Sequence, residues 1–362
     1  MQNTNHKIIN SPAAFIGVEG QNIISFGSGQ PDLPPPPQIF DSLQVHRLFK
    51  YGLIQGELAL RRELANEYPK ANSDDFVITN GASEALDLVF RTIRQRFGKV
   101  KVLVCRPYYY SYPELIKLAG LIPVFTDLKN GHIDLEDFKQ KVTDVKVVLI
   151  NSPSNPTGRV EVMSTLKTIE KLTAELGVYV VSDEVYKDLI YVRQNYPIKG
   201  NHVITINSFS KTYSMCGVRI GYLYSRDEQI TQGVIDIKTH SSMNTNILAQ
   251  EMALRAMKIP RSHIDEQTAV WEKRRDFIYH ELSDMGFNLW KPEGAFYVFP
   301  KIKHANRVVN ELFRDYNVIV YDGAWFGAPD RIRLSYALER PKIEQGLDRI
   351  RQYLEDKQAW LK

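Results

Sequence analysis

The stretch Val178-Tyr179-Val180-Val181-Ser182-Asp183-Glu184-Val185-Tyr186 is a short apolar run that ends abruptly in two carboxylates. Near-continuous apolar runs of this length suit strands covered on both faces by helices. Similar runs occupy residues 76–79, 100–105, 145–150 and 203–207. Residues 83–93 read instead as an amphipathic helix, with Leu86, Val89, Phe90 and Ile93 on one face. Strands alternating with helices predict an α/β fold: a mainly parallel central sheet with helices on both faces. After about Thr239 the pattern changes. Long helical stretches cover 246–258 and 269–285, short strands 295–299, 318–320 and 332–335, and a last amphipathic helix 341–354. The expected organisation is a large domain over residues 41–240 and a smaller α+β domain built from 1–40 and 241–362.

Composition narrows the function classes. Hydrophobic residues make up 43% and charged residues 24% of 362, as in an ordinary globular protein. A net charge of +4 spread over this length gives no electrostatic case for nucleic acid, and no apolar run is long enough to span a bilayer. Cys105 and Cys216 are the only cysteines, too few for a disulfide framework or a four-cysteine zinc site, so no metal is expected. Residues 1–10 are polar and lack the apolar core of a signal peptide. A cytoplasmic protein is the expectation.

In a parallel α/β sheet, ligands bind outside the carboxyl ends of the strands. The residues just after each run are Asn80-Gly81-Ala82-Ser83, Pro107-Tyr108-Tyr109, residues 151–158, Asp183-Glu184-Val185-Tyr186 and Ser208-Phe209-Ser210-Lys211. Together they offer a turn facing a helix N-terminus, an aromatic face, an amide, a carboxylate with a phenol, and an amine with hydroxyls. Such groups suit a flat, anionic cofactor that carries an aldehyde.

The segment Ser208-Phe209-Ser210-Lys211-Thr212-Tyr213-Ser214-Met215-Cys216-Gly217-Val218-Arg219-Ile220-Gly221 resembles the cofactor-attachment signature of the class I/II aminotransferases, the aspartate aminotransferase-like enzymes of fold type I. Asn151-Ser152-Pro153-Ser154-Asn155-Pro156-Thr157-Gly158 resembles the same family's Asn-Pro-Thr-Gly loop, Ser182 to Tyr186 its Asp-Glu-x-Tyr segment, and Arg333-Leu334-Ser335-Tyr336-Ala337 its substrate-binding strand. Four such motifs in family order are far more specific than one.

The resemblance implies a pyridoxal 5'-phosphate (PLP) enzyme with Lys211 as the Schiff-base lysine. Asp183 would pair with the pyridine nitrogen, and Asn155 and Tyr186 would bond the cofactor's 3′ oxygen. Gly81, Ala82, Ser83, Ser208, Ser210 and Arg219 would hold the phosphate. Ser83 also suits a simple helix cap. Tyr51 resembles the tyrosine that reaches the phosphate of a neighbouring subunit, which implies a homodimer with shared sites. Tyr109 matches the ring that stacks on the pyridine, with Tyr108, Tyr110 and Tyr112 close enough to compete. Arg333 matches the α-carboxylate arginine, with Arg331 two residues away as the competitor. Gly29 resembles the glycine that approaches the same carboxylate, although it also suits an ordinary turn.

The implied reaction moves an amino group from an amino acid to a 2-oxo acid in two ping-pong halves, with Lys211 as general base. A PLP-dependent lyase or decarboxylase on the same fold, such as a carbon–sulfur β-lyase or a phospho-amino-acid decarboxylase, would keep the same residues. A Rossmann-type nucleotide binder is disfavoured, because no Gly-x-Gly-x-x-Gly follows a strand. The chain departs from the family pattern in its short length, a short loop at 326–331, and Cys216 where threonine or another small residue is common. None of these removes a group of the constellation. The identity of the donor side chain is left open.

Overall fold

The structure is a computed structural model that describes residues 11–15, 18, 20, 22–47, 50–192 and 195–357. The polar segment 1–10 lies outside the described residues. In chain order the first strands are β1 (Ile24–Ser25), β2 (Phe76–Thr79), β3 (Lys101–Arg106), β4 (Ile122–Lys129), β5 (His132–Ile133), β6 (Val147–Asn151) and β7 (Tyr179–Asp183). They are followed by β8 (Val203–Ser208), β9 (Gly221–Ser225), β10 (Tyr297–Val298), β11 (Val318–Ile319), β12 (Tyr321–Asp322) and β13 (Ile332–Ser335).

The large sheet has the order β2-β9-β8-β7-β6-β3-β4-β5. Its centre, β8-β7-β6-β3-β4, is parallel; the apolar runs predict β8, β7, β6 and β3, whereas they do not single out β4, which is only partly buried. The sequence pattern did not single out β9, which runs antiparallel to both β8 and β2. Alternate residues of each central strand point to opposite faces of the large sheet. Val104, Leu149 and Val181 pack with Leu86, Val89, Phe90 and Ile93 of the helix Gly81–Phe97. Leu103, Val148 and Val180 pack on the opposite face with Phe138, Leu166 and Ile169 from the helices Leu135–Val142 and Met163–Leu176. Burial on both faces is why these strands show no polar alternation.

A second core gathers the C-terminal elements. β13 pairs antiparallel with β10 and β12, and β1 pairs in parallel with β11. Around them pack Trp271 and Ile278 of the helix Arg261–Asp284, Val308 and Leu312 of Ala305–Tyr316, and Ile343 and Leu347 of Arg340–Asp356. The helix at 261 starts eight residues before the apolar periodicity does, because its first two turns are mostly polar and Pro260 sets its start. Helix Ile247–Ala256 shares a third core with the outer edge of the large sheet, through Ala249, Ala253, Phe76, Ile78 and Tyr222. Among the described residues, no helix is long and apolar enough to cross a membrane.

The N-terminal segment is locked into the second core by Phe26, which is fully buried. Its N–H donates to the Ile319 carbonyl at 2.8 Å, and its own carbonyl accepts from the Ser335 N–H at 2.7 Å. These bonds place residues 27–29 between β12 and the large sheet's carboxyl edge. Phe26→Ala should cost about 3–5 kcal/mol, the usual range for emptying a buried phenylalanine site. Urea denaturation checks this, and a loss below about 1 kcal/mol would contradict the anchoring role.

Candidate active site

Strands β2, β3, β6, β7 and β8 end on one edge of the large sheet, and the residues after them face a cleft of about 880 Å³. That volume suits a cofactor-sized ligand. Of the residues singled out in the sequence, Gly29, Ala82, Ser83, Tyr109, Asn155, Asp183, Tyr186, Ser208, Ser210, Lys211, Arg219 and Arg333 all line it. Gly81 lies behind this wall. It has φ +77°, and a Cβ there would come within 2.5 Å of an Arg219 guanidinium nitrogen, so a side chain would be strained and would displace Arg219. Tyr51 is 84% exposed and outside this chain's own cleft.

Asp183 closes β7 and is almost fully buried. The Tyr112 hydroxyl donates to its Oδ2 at 2.6 Å, and the Val185 N–H to its Oδ1 at 3.2 Å. Burial pushes its pKa up to about 6, against the opposing pull of these two bonds and the Lys211 charge. Tyr112 therefore holds the carboxylate and does not compete with Tyr109 for the cleft's open face. Tyr108 turns away to stack on Phe125 at 5.3 Å, while Tyr109 and Tyr110 both line the cleft.

Lys211 sits in the short helix Phe209–Thr212, which Ser208 caps by accepting the Ser210 N–H at 3.1 Å. Its Nζ donates to the Gly29 carbonyl at 2.5 Å and lies 3.8 Å from Cys216 Sγ. Cys216 in turn points to the Ser210 carbonyl at 3.1 Å, which fits a small packing residue beneath the lysine. Near the start of helix Gly81–Phe97, the Ser208 and Ser210 hydroxyls lie 2.9 Å apart. Arg219 adopts φ +59°, a conformation that costs an ordinary residue about 1 kcal/mol or more. Its guanidinium donates to the Cys216 carbonyl at 3.0 Å and packs against Gly81. Helix N–H groups, hydroxyls and a guanidinium form a donor set suited to a phosphate monoester.

The opposite wall comes from the C-terminal unit. Arg333 on β13 is 2% exposed, with Nη1 donating to Asn155 Oδ1 at 2.9 Å and Nη2 to the Gly27 carbonyl at 2.5 Å. The rings of Tyr297, Tyr321 and Phe326 surround it at 4.5–4.8 Å, and its Nε has no hydrogen-bond partner among the described residues. Arg331 is excluded from the cleft. It lies just before β13, donates to the Phe299 carbonyl at 2.6 Å and stacks over Trp290 at 3.8 Å. Tyr186 and Tyr297 share a hydroxyl bond of 2.7 Å. Burial and the neighbouring Tyr297 hold the Tyr186 hydroxyl well above its usual pKa, so it stays a protonated donor. A side chain at Gly29 would overlap the Tyr297 hydroxyl.

Tyr297, Tyr110, Tyr321 and Asn151 also line the cleft, although sequence reasoning did not select them. For Tyr297 the pattern held no signal, because every residue from Ala295 to Phe299 is buried and no one face stands out. Asn151 was present in the quoted loop. Its amide donates to the Asp183 carbonyl at 3.0 Å, and its Oδ1 accepts the Asn155 N–H at 2.9 Å, which ties two strand ends together.

Comparison with known proteins agrees with this geometry. The family model for aminotransferase class I and II matches residues 21–350. A probable aspartate/prephenate aminotransferase of Aquifex aeolicus is 34% identical over 96% of this chain and 95% of its own length. An aspartate aminotransferase of Geobacillus stearothermophilus is 32% identical with the same coverage. Among solved structures, the aspartate aminotransferase of Thermotoga maritima superposes with a TM-score of 0.87 at 30% identity, covering 95% of both chains. An aromatic aminotransferase of Pyrococcus horikoshii reaches 0.88 at 27% identity, covering 96% of this chain and 100% of its own. The fold is fold type I, and the chain belongs to the class I and II aminotransferases, enzymes that generally use PLP to move an amino group from an amino acid to a 2-oxo acid.

Proposed function

We propose that this aminotransferase binds PLP through Lys211 and receives the α-carboxylate of its amino-acid substrate on Arg333. The observation behind this is the convergence of Lys211, Asp183, Arg219 and Arg333 on one cleft. The residues fit the cofactor: an anion cup at one end, a buried carboxylate in the floor, and a lysine between them. When bound, PLP supplies an aldehyde that takes up an amino group and an electron-withdrawing ring that acidifies the substrate Cα proton.

The chain's own groups then have separable tasks. Asp183, held by Tyr112 and Val185, presents a negative charge toward a protonated ring nitrogen. Tyr186, kept neutral by burial, donates a hydrogen bond, and so does the Asn155 amide, whose carbonyl oxygen is turned to Arg333. Tyr109 offers its ring to the flat face of the ligand. Arg333 binds the carboxylate with a fork already oriented by Gly27 and Asn155, and Gly29 approaches from the adjoining strap. Lys211 Nζ, as a free amine, would be the base that accepts the substrate's Cα proton and holds it for return. Relatives named for aspartate make aspartate the first donor to test. The exposure of Tyr51 supports a homodimer in which that side chain completes the neighbour's cup, and the two cysteines in 362 residues support a reducing, cytoplasmic setting.

Lys211→Ala should abolish the visible absorption band of the bound cofactor and lower turnover by at least about a thousandfold, since both covalent and base roles vanish. Mixed with Tyr51→Ala chains, it should regain activity through hybrid dimers with one intact site. A Lys211→Ala protein that keeps the band would overturn the assignment.

A second expectation concerns pH. Folding raises the Asp183 carboxyl from 3.8 to about 6, so ionising it costs stability in the cofactor-free protein. The cost is absent below about pH 4, grows through pH 6, and reaches on the order of 3 kcal/mol above it. Asp183→Asn removes that cost. Its cofactor-free form should melt higher than wild type at pH 8, equal it near pH 4, and bind PLP at least about tenfold more weakly. A melting difference that does not change across this range would contradict the argument.

A further inference from the structure

One helix away from the cleft lies an ammonium group that the mechanism does not use. Lys238, in the last turn of helix Glu228–His240, has no exposed side-chain surface. A sealed lysine is costly unless it is paired and fully bonded. Its Nζ donates to both Glu84 oxygens, at 3.2 and 3.1 Å, and to Ser242 Oγ at 3.0 Å. Glu84 Oε2 in turn accepts the Asn80 backbone N–H at 2.6 Å and the Asn80 side-chain amide at 3.1 Å.

These bonds pin the residue that precedes helix Gly81–Phe97. Asn80 does not cap that helix with its own side chain, so the first N–H groups are left for another acceptor. The peptide that follows enters the φ +77° turn at Gly81, whose carbonyl accepts the Thr79 hydroxyl at 3.0 Å, so the Asn80 end of the turn is fixed by Glu84 and the Gly81 end by Thr79. Arg219 leans on the same turn, with Nη2 3.5 Å from the Asn80 carbonyl. Charge adds a second reason for the pair. Glu84 lies in the first turn of the helix, close to where an anion would sit, and an uncompensated carboxylate there would repel it. Lys238 neutralises that carboxylate from behind.

We infer that Lys238 is a positioning residue for phosphate binding: through Glu84 it holds the Asn80 amide and so aims the N–H groups of Gly81, Ala82 and Ser83. The inference rests on the reading that this turn takes the cofactor's phosphate.

The test compares two ligands that differ only in that phosphate. The cofactor-free full-length protein is titrated with PLP and with pyridoxal, and the visible band is followed. Wild type should bind both, with PLP much tighter. Lys238→Met should weaken PLP by about tenfold or more while leaving pyridoxal within about twofold, because only the phosphate contacts lose their aim. The double variant Lys238→Met/Glu84→Gln leaves no charge buried alone and no carboxylate to repel the phosphate, so it should show a smaller loss that is still selective for PLP over pyridoxal. Equal weakening of both ligands, or no weakening, overturns the inference while leaving the role of Lys211 intact. Failure of both variants to fold would assign the pair to folding and also overturn it. A wild-type protein that binds neither ligand would defeat the cofactor reading itself.

Discussion

A carboxylate at the end of a buried central strand needs a counter-charge, and the arrangement of the cleft follows from that need. Asp183 sits at the carboxyl end of β7, beneath the apolar layers on both faces of the sheet. One phenol and one backbone N–H bond it, and burial still lifts its pKa to about 6. A carboxylate held this way favours a cation placed before it, and a protonated pyridine nitrogen fits that description. The parallel register of β6, β7 and β8 then fixes what surrounds it. Asn151 pairs with Asp183 across the strands, and β8 delivers Ser208 and the lysine turn on the other side.

The second core completes the site from across the cleft. β13 brings Arg333, β10 brings Tyr297, and the segment anchored by Phe26 brings Gly27 and Gly29. Lys211 reaches the Gly29 carbonyl and Arg333 reaches Asn155, so each unit supplies hydrogen-bond partners to the other's functional residues. The interlock sets the Arg333 guanidinium and the Lys211 amine on facing walls of one cleft, an orientation that suits the proposed transfer from an amino acid to a 2-oxo acid.

Much of this was legible in the residues. Double-sided burial made the central strands visible as apolar runs, and the strand-end rule gathered the residues after them into one site. Of the twelve selected side chains and turns that line the cleft, Arg333 shows the limit of pattern alone. Alternation placed Arg331 on the same face, and the bridge between Lys301 and Arg331, the Phe299 carbonyl and Trp290 beneath the guanidinium together hold Arg331 out of the cleft. Tyr112 reads only as one of three competitors of Tyr109, and its hydroxyl bond to Asp183, 71 residues away, gives it a place that the sequence does not show. The Lys238–Glu84 pair was hidden for the same reason, since its partners are 154 residues apart and each reads as an ordinary helix-surface charge. Strand β9 escaped because glycine and tyrosines interrupt its apolar character.

The most direct test of the account is a single-turnover measurement: holoenzyme mixed with an amino-acid donor, aspartate first and then a panel, with no oxo acid present. The account predicts that a donor converts the cofactor band to its amine form and releases one equivalent of the matching 2-oxo acid per site. Persistence of the band while ammonia, carbon dioxide or a thiol is released would contradict it.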